Sequence, residues 1–273
     1  MKAKTSAPLK GLFFRELYLG RRTYIAVTGI FFGIVTLILL VLLSMKVGNL
    51  AKLPADVIES AKGTIRMAAM FVPSAIFFMN TSVVVDTAPA DLSEKWLRFM
   101  YSSPVSEGKL LGVKFSVMFI TAAVGYGLSA LLALAVGALM GEPATITDFG
   151  IIAAIMLIVV LFSILITVLS YAFKSTTGAI VIVLILAYFG MGIIIGLAGV
   201  GNPALSDEEL FQNISDTING FCESVFPLSP LILVGMIALG WGLCTAILKH
   251  RDAKRPQLFR KKEKPAKDTA KEE

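Results

Sequence analysis

Few residues of this chain could carry chemistry, and their spacing matches no catalytic pattern. A phosphate-cradling loop needs an upstream glycine and a Gly-Lys followed by Ser or Thr, so that backbone N–H groups and the lysine wrap a nucleotide's phosphates. Gly108-Lys109 has neither the upstream glycine nor the following hydroxyl. The one histidine, His250, closes the last apolar run. A histidine there serves a helix end or the headgroup level, and no Ser/His/Asp set or His-Glu-x-x-His metal site can be built around it. No apolar run holds an aspartate pair for proteolysis within a membrane. Cys222 and Cys244 stand 22 positions apart, too far along a helix for a disulfide, and read as two unpaired small hydrophobes. The expected roles are therefore no catalytic residue, no metal ligand and no cofactor in this chain.

Two other groups of residues could recognise something. Phe71, Ser74, Phe78 and Ser82 follow one another at spacings of 3, 4 and 4, which puts them on one helical face. A face that mixes phenyl rings with hydroxyls suits an amphipathic or apolar cargo. Gly192 and Gly196 form a Gly-x-x-x-Gly, which lets helix backbones approach closely or leaves room along a pathway. Between residues 86 and 114, Asp91, Glu94, Lys95 and Arg98 lie on one side of a short helix, with Trp96, Leu97 and Met100 on the other, and Ser103-Pro104 breaks it. Ser106 is the expected N-cap of the next helix.

The elements that must position these residues are six apolar runs: Tyr24–Met45, Met67–Val85, Phe115–Met140, Gly150–Ala172, Gly178–Val200 and Leu228–Leu248. None contains Asp, Glu, Lys or Arg. Crossing a hydrocarbon core of about 30 Å takes about 20 apolar residues in a helix, so each run is a span. The chain is 273 residues long and 56% hydrophobic, with a mean hydropathy of +0.80. Its connecting segments are too short for a soluble core of their own. With the N-terminus inside, the inner segments 1–23, 86–114, 173–177 and 249–273 carry 21 Lys and Arg, and the outer segments carry 4. The positive-inside rule then places both termini in the cytoplasm. The 4 outer charges, Lys46, Lys52, Lys62 and Arg66, all fall in the first outer segment. The first run is longer than a signal peptide's apolar core and is read as uncleaved.

The expected fold is an all-α integral membrane protein with six transmembrane helices. Leu9, Leu12, Phe13, Leu17 and Leu19 alternate with charges ahead of the first span, the pattern of an amphipathic helix in the membrane interface. Residues 1–23 are thus an interfacial helix and 24–248 a six-helix membrane domain, with an inner loop 86–114 and an outer segment 201–227. Residues 249–273 form a basic, polar tail. Pro54 and the acidic turn after it open the second helix well outside its apolar run. Apolar spacing in 201–227 predicts short outer helices before the last span. Residues 173–177 are so few that the fourth and fifth spans form an antiparallel hairpin.

These features, taken in order, resemble the permease subunit of an ABC-2 type ABC exporter. The likeness rests on the basic helix Leu9–Arg22 ahead of six spans and on the inner loop's acidic residue, Trp96, Ser103-Pro104-Val105-Ser106 and Lys109–Phe115. A helical outer segment before Pro227-Leu228-Ser229-Pro230 completes it. The resemblance implies a coupling helix over Asp91–Met100 (Asp91, Glu94, Lys95, Trp96, Arg98, Phe99 and Met100) that docks on an ABC ATPase subunit, two copies of it, which bind ATP and Mg. It implies a second permease subunit, identical or homologous, in a bacterial cell membrane among membrane lipid, with no nucleic acid partner. It also implies a pathway along the second and fifth spans at a dimer interface. The compact form is most similar to permeases that export amphipathic peptides, such as phenol-soluble modulins. A secondary carrier or channel would normally need ionisable groups or a polar selectivity path in the spans, and a membrane scaffold would not need a mixed-charge inner loop.

Overall fold

The computed structural model describes residues 6–47, 55–92, 106–200, 217 and 219–253. Among these residues every regular element is helical: α1 Ser6–Val47, α2 Ala55–Phe78, a 3-10 turn Met79–Ser82, α3 Val83–Leu92, α4 Glu107–Met140, α5 Ile146–Phe173, α6 Thr176–Val200 and α7 Ser229–Ala253. A further short stretch, 219–225, is helical just before α7. Five stretches, Leu9–Ser44, Gly63–Ala88, Gly108–Met140, Ile146–Phe173 and Ser229–His250, are long and apolar enough to cross a membrane. The run expected as the fifth span lies in α6, whose apolar part is described as far as Gly190.

Two boundaries differ from the sequence reading. The interfacial helix and the first span are one element: α1 is a single helix of 42 residues. At 1.5 Å per residue that is about 63 Å, about twice a hydrocarbon core. No proline follows Pro8 within it to stop the helix, so the amphipathic repeat continues in phase into the span. The second span also overruns its apolar window. Helix starts at Ala55, 12 residues before Met67, and after the 3-10 turn continues to Leu92, carrying Asp86 and Asp91 in helical register. The inner loop is correspondingly shorter than 86–114. The 3-10 turn follows Pro73, which removes a backbone donor from α2 and weakens the turn before it.

α5 stands at the centre. It packs on α2, α3, α4, α6 and α7, and more than half of its apolar window is buried, against 11% for α1 and 22% for the last span. Its Ile152, Met156, Val160 and Ile164 recur at helical spacing and meet Met70, Phe78, Phe115, Met118 and Leu233 in one core. Lipid tails are as apolar as leucine, so such helices gain little from burial and depend on close packing. A Cβ placed on Gly240 of α7 would lie 2.6 Å from Ile164 Cγ2 and 2.9 Å from Phe115 Cε1. That contact exists only because residue 240 has no side chain.

Short connections fix the order. α4 ends at Gly141, in the left-handed region at φ 78°, and Ala144 follows within three residues before α5 opens. α5 and α6 are joined by Lys174, at φ 58°, and Ser175, whose hydroxyl accepts from Gly178 N–H at 3.1 Å. That is the expected hairpin. Ser106 does precede α4, but its carbonyl rather than its hydroxyl serves the helix, accepting from Lys109 and Leu110 N–H at 3.0 and 3.2 Å.

Candidate functional site

Asp91 is the one member of the expected coupling group that falls within the described residues. Glu94, Lys95, Trp96, Arg98, Phe99 and Met100 lie outside them. Asp91 occupies the last turn of α3, at the root of the inner loop, and its carboxylate is buried. One oxygen, Oδ1, accepts from Arg15 Nη2 of α1 at 2.8 Å. The other, Oδ2, pairs with Lys114 Nζ of α4 at 2.6 Å and accepts from the Tyr171 hydroxyl of α5 at 2.8 Å. Four helices therefore converge on one carboxylate.

Lys114 is fully buried, at 0% exposure. An ammonium carries three donors and no acceptor. Besides Asp91 it meets Thr87 Oγ1 at 2.5 Å and Glu16 Oε2 at 3.4 Å. Glu16 in turn accepts from Arg15 Nη1 at 2.5 Å. Among the described residues two cations and two anions balance one another in this cluster, the condition under which buried charge is tolerated. Burial by itself pushes the Asp91 carboxyl upward, but Lys114 and Arg15 outweigh it and hold it below the ordinary aspartate range.

Sequence reasoning found Asp91 but not its partners Arg15, Lys114 and Tyr171, nor Glu16 and Thr87 that complete the cluster around Lys114. A signal was present. Leu12, Glu16 and Gly20 are buried at a spacing of 4, so Glu16 sits on the apolar stripe of α1. Lys114 likewise shares the buried face of α4 with Leu110, Leu111 and Met118. A charge on an apolar stripe must find a partner.

A second clasp closes the opposite end of the bundle. Arg66 of α2 donates to Glu142 at 2.9 Å, to the Pro143 carbonyl at 3.0 Å and to Asp148 at 2.5 Å, so its guanidinium fork grips the α4–α5 turn. Asp148 also completes a capping box: Thr145 N–H donates to its carboxylate at 2.7 Å, and Thr145 Oγ1 accepts from Asp148 N–H at 3.4 Å. The 219–225 helix docks here through Thr147 Oγ1 donating to Glu223 at 2.6 Å. Gly150 lets it approach, since a Cβ there would lie 2.5 Å from the Cys222 carbonyl oxygen. Arg66, one of the four cations on the expected outer side, is thus partnered by acids of that same side. The expected short outer helices are met over 219–225, and residues 201–216 lie outside the described residues.

Between the two clasps the interior holds hydroxyls and an amide. Thr81 of the 3-10 turn and Ser163 of α5 share a hydrogen bond of 3.2 Å. Ser74 Oγ, Asn80 Oδ1 and Ser129 Oγ are buried without a hydrogen-bond partner among the described residues.

The expected cargo face is divided. Buried pairs recur along α2 as Ala69/Met70, Pro73/Ser74 and Phe77/Phe78. Phe71 falls one residue past such a pair and is 56% exposed, whereas Ser74 and Phe78 are at 0%. The 3-10 turn then shifts the phase, and Ser82 is half-buried, its hydroxyl donating to the Met79 carbonyl at 2.6 Å. The four residues do not share one exposed face, because the packed stripe of α2 runs between them. Gly192 and Gly196 lie in α6, beyond the part whose side-chain surroundings are described. Nearby Gly190 has no neighbour within 4 Å of a Cβ position.

Neither the curated proteins nor the solved structures contain a match to this chain. A family profile described as ABC-2 family transporter protein does match, over residues 57–249. That segment runs from the first turn of α2 to the last turn of α7 and holds the whole Arg66 clasp and Thr87, Asp91, Lys114 and Tyr171 of the buried cluster; of the cluster residues named above, only Arg15 and Glu16 lie outside it. A multi-pass chain whose described elements are all helical, matched over most of its length by that profile, belongs to the ABC-2 family of transporter proteins.

Proposed function

We propose that the chain is the permease subunit of an ATP-driven exporter that moves an amphipathic peptide or another hydrophobic substrate out of a bacterial cell. ATP and Mg are bound by a separate ABC ATPase, present in two copies, and the permease works beside a second permease, identical or homologous. Both termini face the cytoplasm, so the Asp91 cluster lies on the ATPase side. The observation that carries this reading is the tie between the inner loop and the bundle. Asp91 begins the proposed coupling segment Asp91–Met100, and its carboxylate is bonded to α1, α4 and α5. Force applied to the loop by an ATPase has a stiff route into three other helices.

The distribution of charge supports ATP over an ion gradient. On α2, α4 and α5 the stretches between the two clasps contain no Asp, Glu, Lys or Arg. A carrier driven by protons or ions normally places such groups within the membrane. The cargo path is assigned to the exposed side of Phe71 and Ser82 together with the Gly192/Gly196 face of α6, with Ser74 and Phe78 as the packed wall behind it. The test is uncoupling. Trp96→Ala or Glu94→Lys should leave the permease in the membrane and bound in normal amount, yet abolish peptide export. Wild-type export in both variants would remove the coupling assignment.

A further inference from the structure

Two apolar cavities lie end to end in the seam between α4 and α7. One, of about 470 Å³, is walled by Phe119, Ala123, Tyr126, Met156, Leu233 and Val234. The other, of about 570 Å³, is walled by Gly112, Phe115, Ser116, Ile237, Ala238 and Trp241. Phe119 and Val234 belong to both, so the two form one groove. From Gly112 to Tyr126 it runs 14 residues along α4, about 21 Å, more than the roughly 15 Å of one leaflet's hydrocarbon.

The groove has a charged end. On α4 the lining residues Gly112, Ser116, Phe119, Ala123 and Tyr126 follow at spacings of 3 and 4, and the same stripe reaches Lys109 one step beyond them. On α7 the lining residues Val234, Ala238 and Trp241 share a stripe that runs on past the groove to Thr245 and Lys249. Both stripes thus finish in an exposed lysine at the same end. The helices meet there: Trp241 Nε1 donates to the Gly108 carbonyl at 3.0 Å, and a Cβ on Gly108 would lie 3.9 Å from Thr245 Cγ2. The other end, at Phe226, Pro227 and Pro230, carries no charge.

We propose that this groove is a binding site for an anionic phospholipid, with one acyl chain along Gly112–Tyr126 and the headgroup phosphate between Lys109 and Lys249. The charge complementarity favours a lipid over a second copy of the chain. The lining is mixed: the small residues Gly112, Ser116, Ala123 and Ala238 leave a cleft between the bulky Phe119, Tyr126, Ile237 and Trp241, a shape that takes a thin acyl chain rather than the flat small-residue face through which membrane helices pair. Each lysine near a membrane surface is worth about fivefold in preference for an anionic lipid.

Trp241 is a built-in reporter, since the chain has only one other tryptophan, Trp96. The experiment uses the full chain carrying Trp96→Phe in phosphatidylcholine bilayers doped with chain-brominated phosphatidylglycerol or chain-brominated phosphatidylcholine. Trp241 emission should be quenched by the anionic lipid with a preference of about tenfold or more. Lys109→Gln with Lys249→Gln should reduce that preference to about twofold or less, and the Lys→Arg pair should retain it. Gly112→Leu, whose Cβ makes only an ordinary 3.7 Å contact with Trp241 Nε1, should fill the groove and weaken quenching by both lipids. Equal quenching by the two lipids would mean unselective boundary lipid and would overturn the proposal. Absence of quenching by either would mean that protein covers the groove, and would overturn it as well. A preference that survives loss of both lysines would overturn the headgroup assignment.

Discussion

Removing Lys114 should unfold this protein far more readily than its place in the chain implies. Its ammonium is at 0% exposure, within 2.6 Å of Asp91, 2.5 Å of Thr87 Oγ1 and 3.4 Å of Glu16. Lys114→Met nearly conserves volume but leaves Asp91 and Glu16 to share Arg15, with one net negative charge buried. Breaking a buried pair from one side costs about 3–5 kcal/mol, because the remaining charge is uncompensated. Asp91→Asn strands a positive charge and should cost a similar amount. Combined, the two changes restore neutrality and leave the Arg15–Glu16 pair intact. The double variant should therefore be more stable than the sum of the singles by about 2–3 kcal/mol. Detergent-titrated unfolding would measure it, with a thiol-reactive fluorogenic dye as reporter, since Cys222 and Cys244 are both free and buried. A Lys114→Met variant within about 1 kcal/mol of wild type, or strictly additive singles, would refute the idea that the cluster holds the four helices together.

The remaining predictions concern the same two clasps and the orientation. Asp91 binds its proton more weakly folded than unfolded, so the cluster's stabilisation is complete above the ordinary aspartate range and is lost as pH falls through the depressed value; Arg15→Gln should move the acid-unfolding midpoint to higher pH, and an unchanged midpoint would contradict the pairing. Gly150→Ala should cost about 1–3 kcal/mol, because its Cβ would meet the Cys222 backbone oxygen, which cannot turn aside as a side chain can; faster thiol labelling of Cys222 would report the displaced 219–225 helix, and unaltered labelling would count against the close contact. A cysteine at Ser215 should label from outside intact cells and one at Ser175 should not; the reverse would invert the topology.

Most of the helical frame was legible because hydropathy is a local property. The apolar runs for α4 and α5 fall inside a helix, that for α7 begins one residue before its helix, and five of the expected spans appear as stretches able to cross a membrane. The ion cluster was not legible because its members are scattered. Glu16, Thr87, Lys114 and Tyr171 each sit within a turn or two of an apolar run's edge, where charges read as loop or interface. Only the packing of α1, α3, α4 and α5 brings them together. The cargo face differs from its expected form for a related reason. Spacing assigns Phe71, Ser74, Phe78 and Ser82 to one arc, but spacing does not say how wide the packed stripe is, and a 3-10 turn after Phe78 alters the phase. Among the described residues, close glycine contacts were not legible either. Nothing in the sequence separates Gly150 and Gly240 from glycines with open space around them, such as Gly235 and Gly242, and only their neighbours Cys222, Ile164 and Phe115 reveal the need for hydrogen at Cα.

A transport subunit driven by another chain's ATP hydrolysis should be inert towards ATP on its own. The direct measurement is ATP turnover in nanodiscs by the purified chain alone, by a co-purifying ABC ATPase, and by the two together across a panel of amphipathic peptides. The expected result is no specific nucleotide binding or turnover by the chain alone, and turnover by the complex that selected peptides stimulate. Saturable, ADP-competed ATP binding by the isolated chain, or a complex whose turnover ignores every peptide and apolar substrate offered, would contradict it.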